Sequence, residues 1–158
     1  GIEPDSASDV LQPVLGYNAF GSPTWSYASW NCCPAGHQHH ATPINVSTGD
    51  ILYGSLQSTG GDGYTVLSEY KKETSILQSD DQVPQVMPLL SMEVYYANCS
   101  SLPTGCMRMS RISVDPTTSF GSNEAQGFGL ESACGWSLSL TDDTLSVCPP
   151  GMGNRSAS

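Results

Sequence analysis

The sequence predicts an all-β protein, a sandwich or barrel of short antiparallel strands, and three observations predict it. Runs rich in Val, Leu, Ile, Tyr and Trp recur between turn clusters, and no stretch sustains an apolar period of 3.6. Only 5 of 158 residues are Lys or Arg, so the polar face that exposed helices usually carry is poorly supplied. Between the apolar runs, "STGD" (47–50), "TGGDG" (59–63) and "LTDDTL" (140–145) hold the Gly and Asp that tight turns require.

Taken in order, the first expected strand is "VLQPVLGY" (10–17). Alternation puts Val10, Gln12, Val14 and Gly16 on one face and Leu11, Pro13, Leu15 and Tyr17 on the other. Aromatics mark the second at 24–31. Strands at 43–48 and 50–58 flank the first Gly-Asp turn, and 63–70 and 73–78 follow the second. The longest, 87–97, carries Leu90, Met92, Val94 and Tyr96 on one face and Leu89, Ser91, Glu93 and Tyr95 on the other, with Glu93 its one charge. Further strands are expected at 106–114, 126–132, 136–141 and 144–148, the last two as a hairpin.

An apolar fraction of 38% supports one core, placed in a single sandwich domain over 1–148, with "PPGMGNRSAS" (149–158) as a flexible tail. The formal net charge of −10 argues against nucleic acid or an anionic membrane as partner, since both need a basic face. No apolar run reaches the length of a membrane span. "GIEPDSASD" has no leader character, so a mature or trimmed form is expected.

Six cysteines accompany three sequons, at Asn45, Asn98 and Asn154. Together they predict a secreted, extracellular glycoprotein with disulfides. Six cysteines allow fifteen pairings. Hairpin proximity favours Cys99 with Cys106 and Cys134 with Cys148. Cys32 and Cys33 are left either to bond each other or to reach another chain.

Two side chains stand out chemically. Gln12 is an amide among apolar neighbours, followed by a proline that cannot donate to a β-ladder; the plain reading is a bulge or edge strand. Glu93 is a carboxyl in an apolar strand, where burial would raise its pKa toward that of a general acid or base in mildly acidic medium; the plain reading is an exposed sheet face. "CCPAGHQHH" (32–40) offers His37, His39 and His40 beside two cysteines, a conceivable tetrahedral metal set. Oxidised cysteines argue against it, and neither a metal nor another cofactor is expected. A serine nucleophile elbow and a phosphate-binding loop are both missing from the sequence.

At this point the sequence resembles the fungal glutamic peptidases called eqolisins, and a wider secreted group sharing their concanavalin A-like sandwich. The resemblance rests on "GIEPDSASDVLQPV", a Gly-Ile-acidic segment leading into Leu-Gln, on "SYASW", and on "INVSTGDILYGSL". It spans roughly residues 1 to 115 and implies an antiparallel two-sheet concanavalin A-like jelly roll. It also implies an acid-acting glutamic endopeptidase or an inactive relative of one, with Gln12 and Glu93 as the catalytic pair and a polypeptide substrate. Glu3, Trp25, Tyr27, Trp30 and His40 are implied as substrate contacts. "QPVL" followed by "SW" is closer to the wider group, where a glycan-binding or polysaccharide-acting module is the alternative. A sandwich whose strands begin at residue 10 also leads us to expect an N-terminal fragment of the same precursor, covering the open sheet edges.

Overall fold

The computed structural model describes residues 1–4, 9–80, 84–85, 87–91, 99, 104–113, 134–141 and 143–151. Two compact units divide the chain, Gly1–Ser91 and Met92–Ser158. In the first, the strands are β1 (Ile2–Glu3), β2 (Val10–Tyr17), β3 (Trp25–Cys32), β4 (His39–His40), β5 (Ile44–Val46), β6 (Tyr53–Gly60), β7 (Gly63–Tyr70), β8 (Glu73–Ser79) and β9 (Met87–Pro88). In the second they are β10 (Met107–Met109), β11 (Ser137–Thr141) and β12 (Thr144–Cys148). The described strand pairs are all antiparallel. The all-β sandwich is therefore the architecture.

Two sheets pack face to face in the first unit, one ordered β4-β3-β2-β1-β9 with β5 also on β3, the other β6-β7-β8. Pro13, Tyr27, Ser29 and Asn31, odd-numbered residues of β2 and β3, touch the second sheet, and Leu11 falls on the same face by alternation. Leu11 and Val66 are fully buried, and Tyr27 nearly so. The interface also holds serines that are fully or almost fully buried, Ser29, Ser68 and Ser75. Ser29 Oγ donates to the Ser75 carbonyl at 2.7 Å and lies 3.0 Å from Ser68 Oγ, while the Ser29 N–H donates to Ser75 Oγ at 3.2 Å. A buried hydroxyl left unpartnered costs about 1–3 kcal/mol, so this mutual pairing is what lets serines stand in a dry interface. Tyr27 also hydrogen-bonds Ser68, and burial pushes its hydroxyl pKa up to about 12.

Pro13 has a precise place here. The Ser29 carbonyl accepts from the Ala41 N–H at 3.0 Å, so the backbone groups of Ser29 face away from β2. Pro13 pairs with Ser29. That pair is consequently of the kind that exchanges no hydrogen bonds, and the missing N–H costs the β2–β3 ladder nothing. The Pro13 ring packs across the interface on Gly54 of β6. A Cβ there would lie 2.8 Å from Pro13 Cγ and 2.5 Å from the Tyr27 hydroxyl, so only glycine fits. Pro13 is thus neither bulge nor flaw but part of the sheet-to-sheet contact.

The "STGD" turn is fastened by its aspartate. Asp50 accepts from the Ser47 N–H and from the Tyr70 hydroxyl, both at 2.7 Å. These bonds, that from Tyr70 first, hold the carboxyl below its ordinary 3.8. A depressed carboxyl pKa contributes stability that is present above the unfolded value and lost as pH falls through the folded one. Asp50→Asn is therefore expected to lower the melting temperature near neutrality. The gap to wild type should shrink as the pH drops below 3.8, as read from paired thermal melts across that range. A gap independent of pH would refute the assignment.

The second unit carries one sheet ordered β10-β12-β11, with Leu145, Val147 and Trp136 buried. Its disulfides correct the hairpin expectation: Cys99 bonds Cys134, and Cys106 bonds Cys148. The reason is sheet order. Met107 pairs with Val147, which brings Cys106 beside Cys148 on adjacent strands. On the other side of β12, Cys148 is opposite Ser137, and Cys134 lies beyond the end of β11. Cys32 and Cys33 bond each other.

The expected bounds of 10–17, 63–70 and 144–148 match the observed strands, and 73–78 and 136–141 differ by one residue. The strand at 106–114 shrinks to Met107–Met109. Of 87–97, Met87–Pro88 is strand, and the stretch from Met92, Glu93 included, lies outside the described residues, as does 126–132. The short strands β1 and β4 and a 3-10 turn at Pro34–Gly36 were not legible from periodicity.

Candidate functional site

The face of β2 and β3 turned away from β6–β8 carries the even-numbered residues, Gln12 among them. Gln12 pairs with Trp30, and Trp30 with His40, so the three form one row across β2, β3 and β4. The row extends the other way through the backbone at Gly1, where a Cβ would lie 3.1 Å from Gln12 Cβ. Gly1 in turn exchanges backbone hydrogen bonds with Leu89 at 2.9 Å. Gln12 is half-buried.

Phe20, in the loop between β2 and β3, folds over this row. Its ring centroid is 5.5 Å from Trp30 and 4.8 Å from His40, and Trp30 and His40 are 5.1 Å apart. Such offset and edge contacts hold the three rings as one partly exposed platform. His40 Nδ1 lies 3.1 Å from the Ala41 carbonyl, which can only accept.

Beside the platform opens a cleft of about 470 Å³, reaching Phe20, Thr24, Trp25, Ser26, Pro43 and Asn45. It falls within the roughly 300–1,000 Å³ of ordinary ligand pockets. A smaller recess of about 270 Å³ at the other end of β3 is bordered by Asn31, His39 and Ser79. There Asn31 Nδ2 donates to Ser79 Oγ at 2.9 Å, while Asn31 Oδ1 is buried with no partner among the described residues.

The chain is similar in structure to aspergilloglutamic peptidase from Aspergillus niger, whose crystal structure superposes with a TM-score of 0.64 over 94% of this chain and 95% of that one. They share a fold. Sequence identity between them is 14%, and neither a family model nor a curated protein matches the chain.

Of the expected contacts, Trp30 and His40 stand in the Gln12 row. Glu3, half-buried, falls on the same face by alternation, because Ile2 pairs with Leu11. Trp25 borders the cleft and sets its ring 5.3 Å from that of Tyr17. Tyr27 is placed apart from them, buried on the opposite face between the sheets. Asn45 is exposed, whereas Glu93, Asn98 and Asn154 are outside the described residues. No cluster of three or more His, Cys, Asp or Glu suited to a metal occurs among the described residues. Sequence reading missed Phe20; the one available signal was an aromatic inside a turn segment, "GYNAFGSP".

Proposed function

We propose that this protein is a secreted, acid-acting glutamic endopeptidase of eqolisin type. The observation that carries the reading is the whole-chain fold correspondence with aspergilloglutamic peptidase, joined to the display of Gln12 on an aromatic-lined face. Three disulfides and a net charge of −10 suit a chain working outside the cell in mildly acidic medium.

In this proposal Glu93, the one charge in its apolar stretch, takes the proton of a water attacking the peptide carbonyl and later passes it to the leaving nitrogen. Gln12 donates its side-chain N–H to the oxyanion that develops on that carbonyl. Trp30, Phe20 and His40 border the extended peptide. The deciding experiment is cleavage of unfolded protein from about pH 2 to 6, where a carboxyl mechanism operates, by wild type, Gln12→Ala and Glu93→Gln. Equal activity in all three would sink the proposal.

The ring platform favours a second reading, a glycan-binding or polysaccharide-acting module, since aromatic faces also receive sugar rings. Glycan binding lost on Trp30→Ala and indifferent to Glu93→Gln would replace the first reading with this one. The expected N-terminal fragment belongs to the same proposal. Among the described residues β6 has a neighbour on one side only, and next to that edge Ile51 and Tyr53 are 90% and 59% exposed. Native mass spectrometry of material from its natural source is expected to show a second polypeptide bound. A stable, lone chain would exclude it.

A further inference from the structure

The sequon Asn45-Val46-Ser47 is not on a remote loop. All three of its residues border the 470 Å³ cleft, opposite Phe20, Ser22, Thr24 and Ser26. Asn45 pairs with Ser26, whose even position puts it on the same face of β3 as Trp30. Alternation along β5 sends the exposed Asn45 side chain to that face too, while Ile44 is buried toward the core. A sugar attached to Asn45 Nδ2 would begin at the cleft wall. It would meet the Phe20 ring and the hydroxyls of Ser22 and Thr24.

We propose that Asn45 carries an N-linked glycan whose first sugars lie in this cleft, so that the glycosylated chain presents it filled and the unmodified chain presents it open. The donor is a lipid-linked oligosaccharide pyrophosphate. The Asn45 amide nitrogen bonds to C1 of the sugar, the C1–O bond breaks with its electron pair going to the departing pyrophosphate, and the amide proton is released. Transfer precedes folding, so the later strand position of Asn45 is no obstacle. Phe20 supplies the apolar surface on which a pyranose ring stacks, and the serine and threonine hydroxyls satisfy its polar edge. The consequence is regulatory: a ligand reaching for this end of the Gln12 face competes with the chain's own glycan. The inference is independent of the peptidase proposal, because its test measures no cleavage of protein.

The chain is expressed through a eukaryotic secretory pathway, and the glycan is released by an amidase that leaves an aspartate at each modified position, so that peptide mass reads each sequon separately. The Asn45 peptide is expected to be modified in wild type and unmodified in Ser47→Ala. That variant keeps the Ser47 N–H to Asp50 bond and so the fold. Release at Asn45 is expected to be about tenfold slower from native protein than from the denatured chain under the same enzyme, equivalent to ~1.4 kcal/mol of seating. Phe20→Ala, a change at a 37% exposed side chain, is expected to remove most of that protection. An unmodified Asn45, equal native and denatured release, or protection that survives Phe20→Ala would each overturn the proposal.

Discussion

Gln12→Ala is expected to lower the rate of acid-pH peptide cleavage by about a hundred- to a thousand-fold while leaving thermal stability nearly unchanged. The size follows from what the amide does in the proposed reaction. It donates to an oxyanion that exists only in the transition state, so its loss falls on kcat more than on KM. The stability half of the expectation follows from the fold. Gln12 is half-buried on the face turned away from the inter-sheet core, and its removal opens no cavity between the sheets. Glu93→Gln, nearly isosteric, removes the proposed proton acceptor and is expected to cost at least as much activity. Initial rates and thermal melts on the same preparations check both halves together. Lost activity with an unchanged melt supports a catalytic amide, and lost activity with a collapsed melt would reassign Gln12 to the structure.

The parts of this arrangement that were legible in the sequence are those set by local rules. Alternation in "VLQPVLGY" and "GYTVLSEY" gave strand bounds directly, because a period of 2 is fixed by the backbone and the turns beside them carry Gly and Asp. What alternation could not say is which strand becomes whose neighbour. The disulfides illustrate it: Cys106 finds Cys148 because β10 lies against β12, a choice made by the sheet and not by loop length. Pro13 is similar, since its tolerance depends on the unbonded character of its pair with Ser29 and on Gly54 across the interface. The row from Gln12 through Trp30 to His40 was half legible. Gln12 stood out by its type and Trp30 and His40 were implied by the family resemblance, but their alignment needed the register of β2, β3 and β4. Tyr27 shows the limit of residue type as a guide: an aromatic two residues from Trp25 went to the core.

Leu11→Ala should show the opposite pattern one residue away, a large loss of stability with the proposed site left intact in the molecules that remain folded. Leu11 is 0% exposed and faces β6–β8, opposite Asn31, which itself reaches Ser79 of β8. Cutting a fully buried leucine back to alanine removes its transfer free energy and leaves a cavity that packed sheets close only in part, a loss of about 2–5 kcal/mol. For a domain whose total stability is roughly 5–15 kcal/mol, that is a large share. Urea unfolding is expected to show the midpoint falling with an unchanged slope, since the folded and unfolded surfaces differ little from wild type. The comparison with Gln12→Ala is what gives the measurement its force. Adjacent residues on one strand point to opposite faces, so one substitution should act on the fold and the other on chemistry. Two variants that lose stability equally would mean that the Gln12 face is as enclosed as the Leu11 face, leaving no open surface on which a peptide could be held.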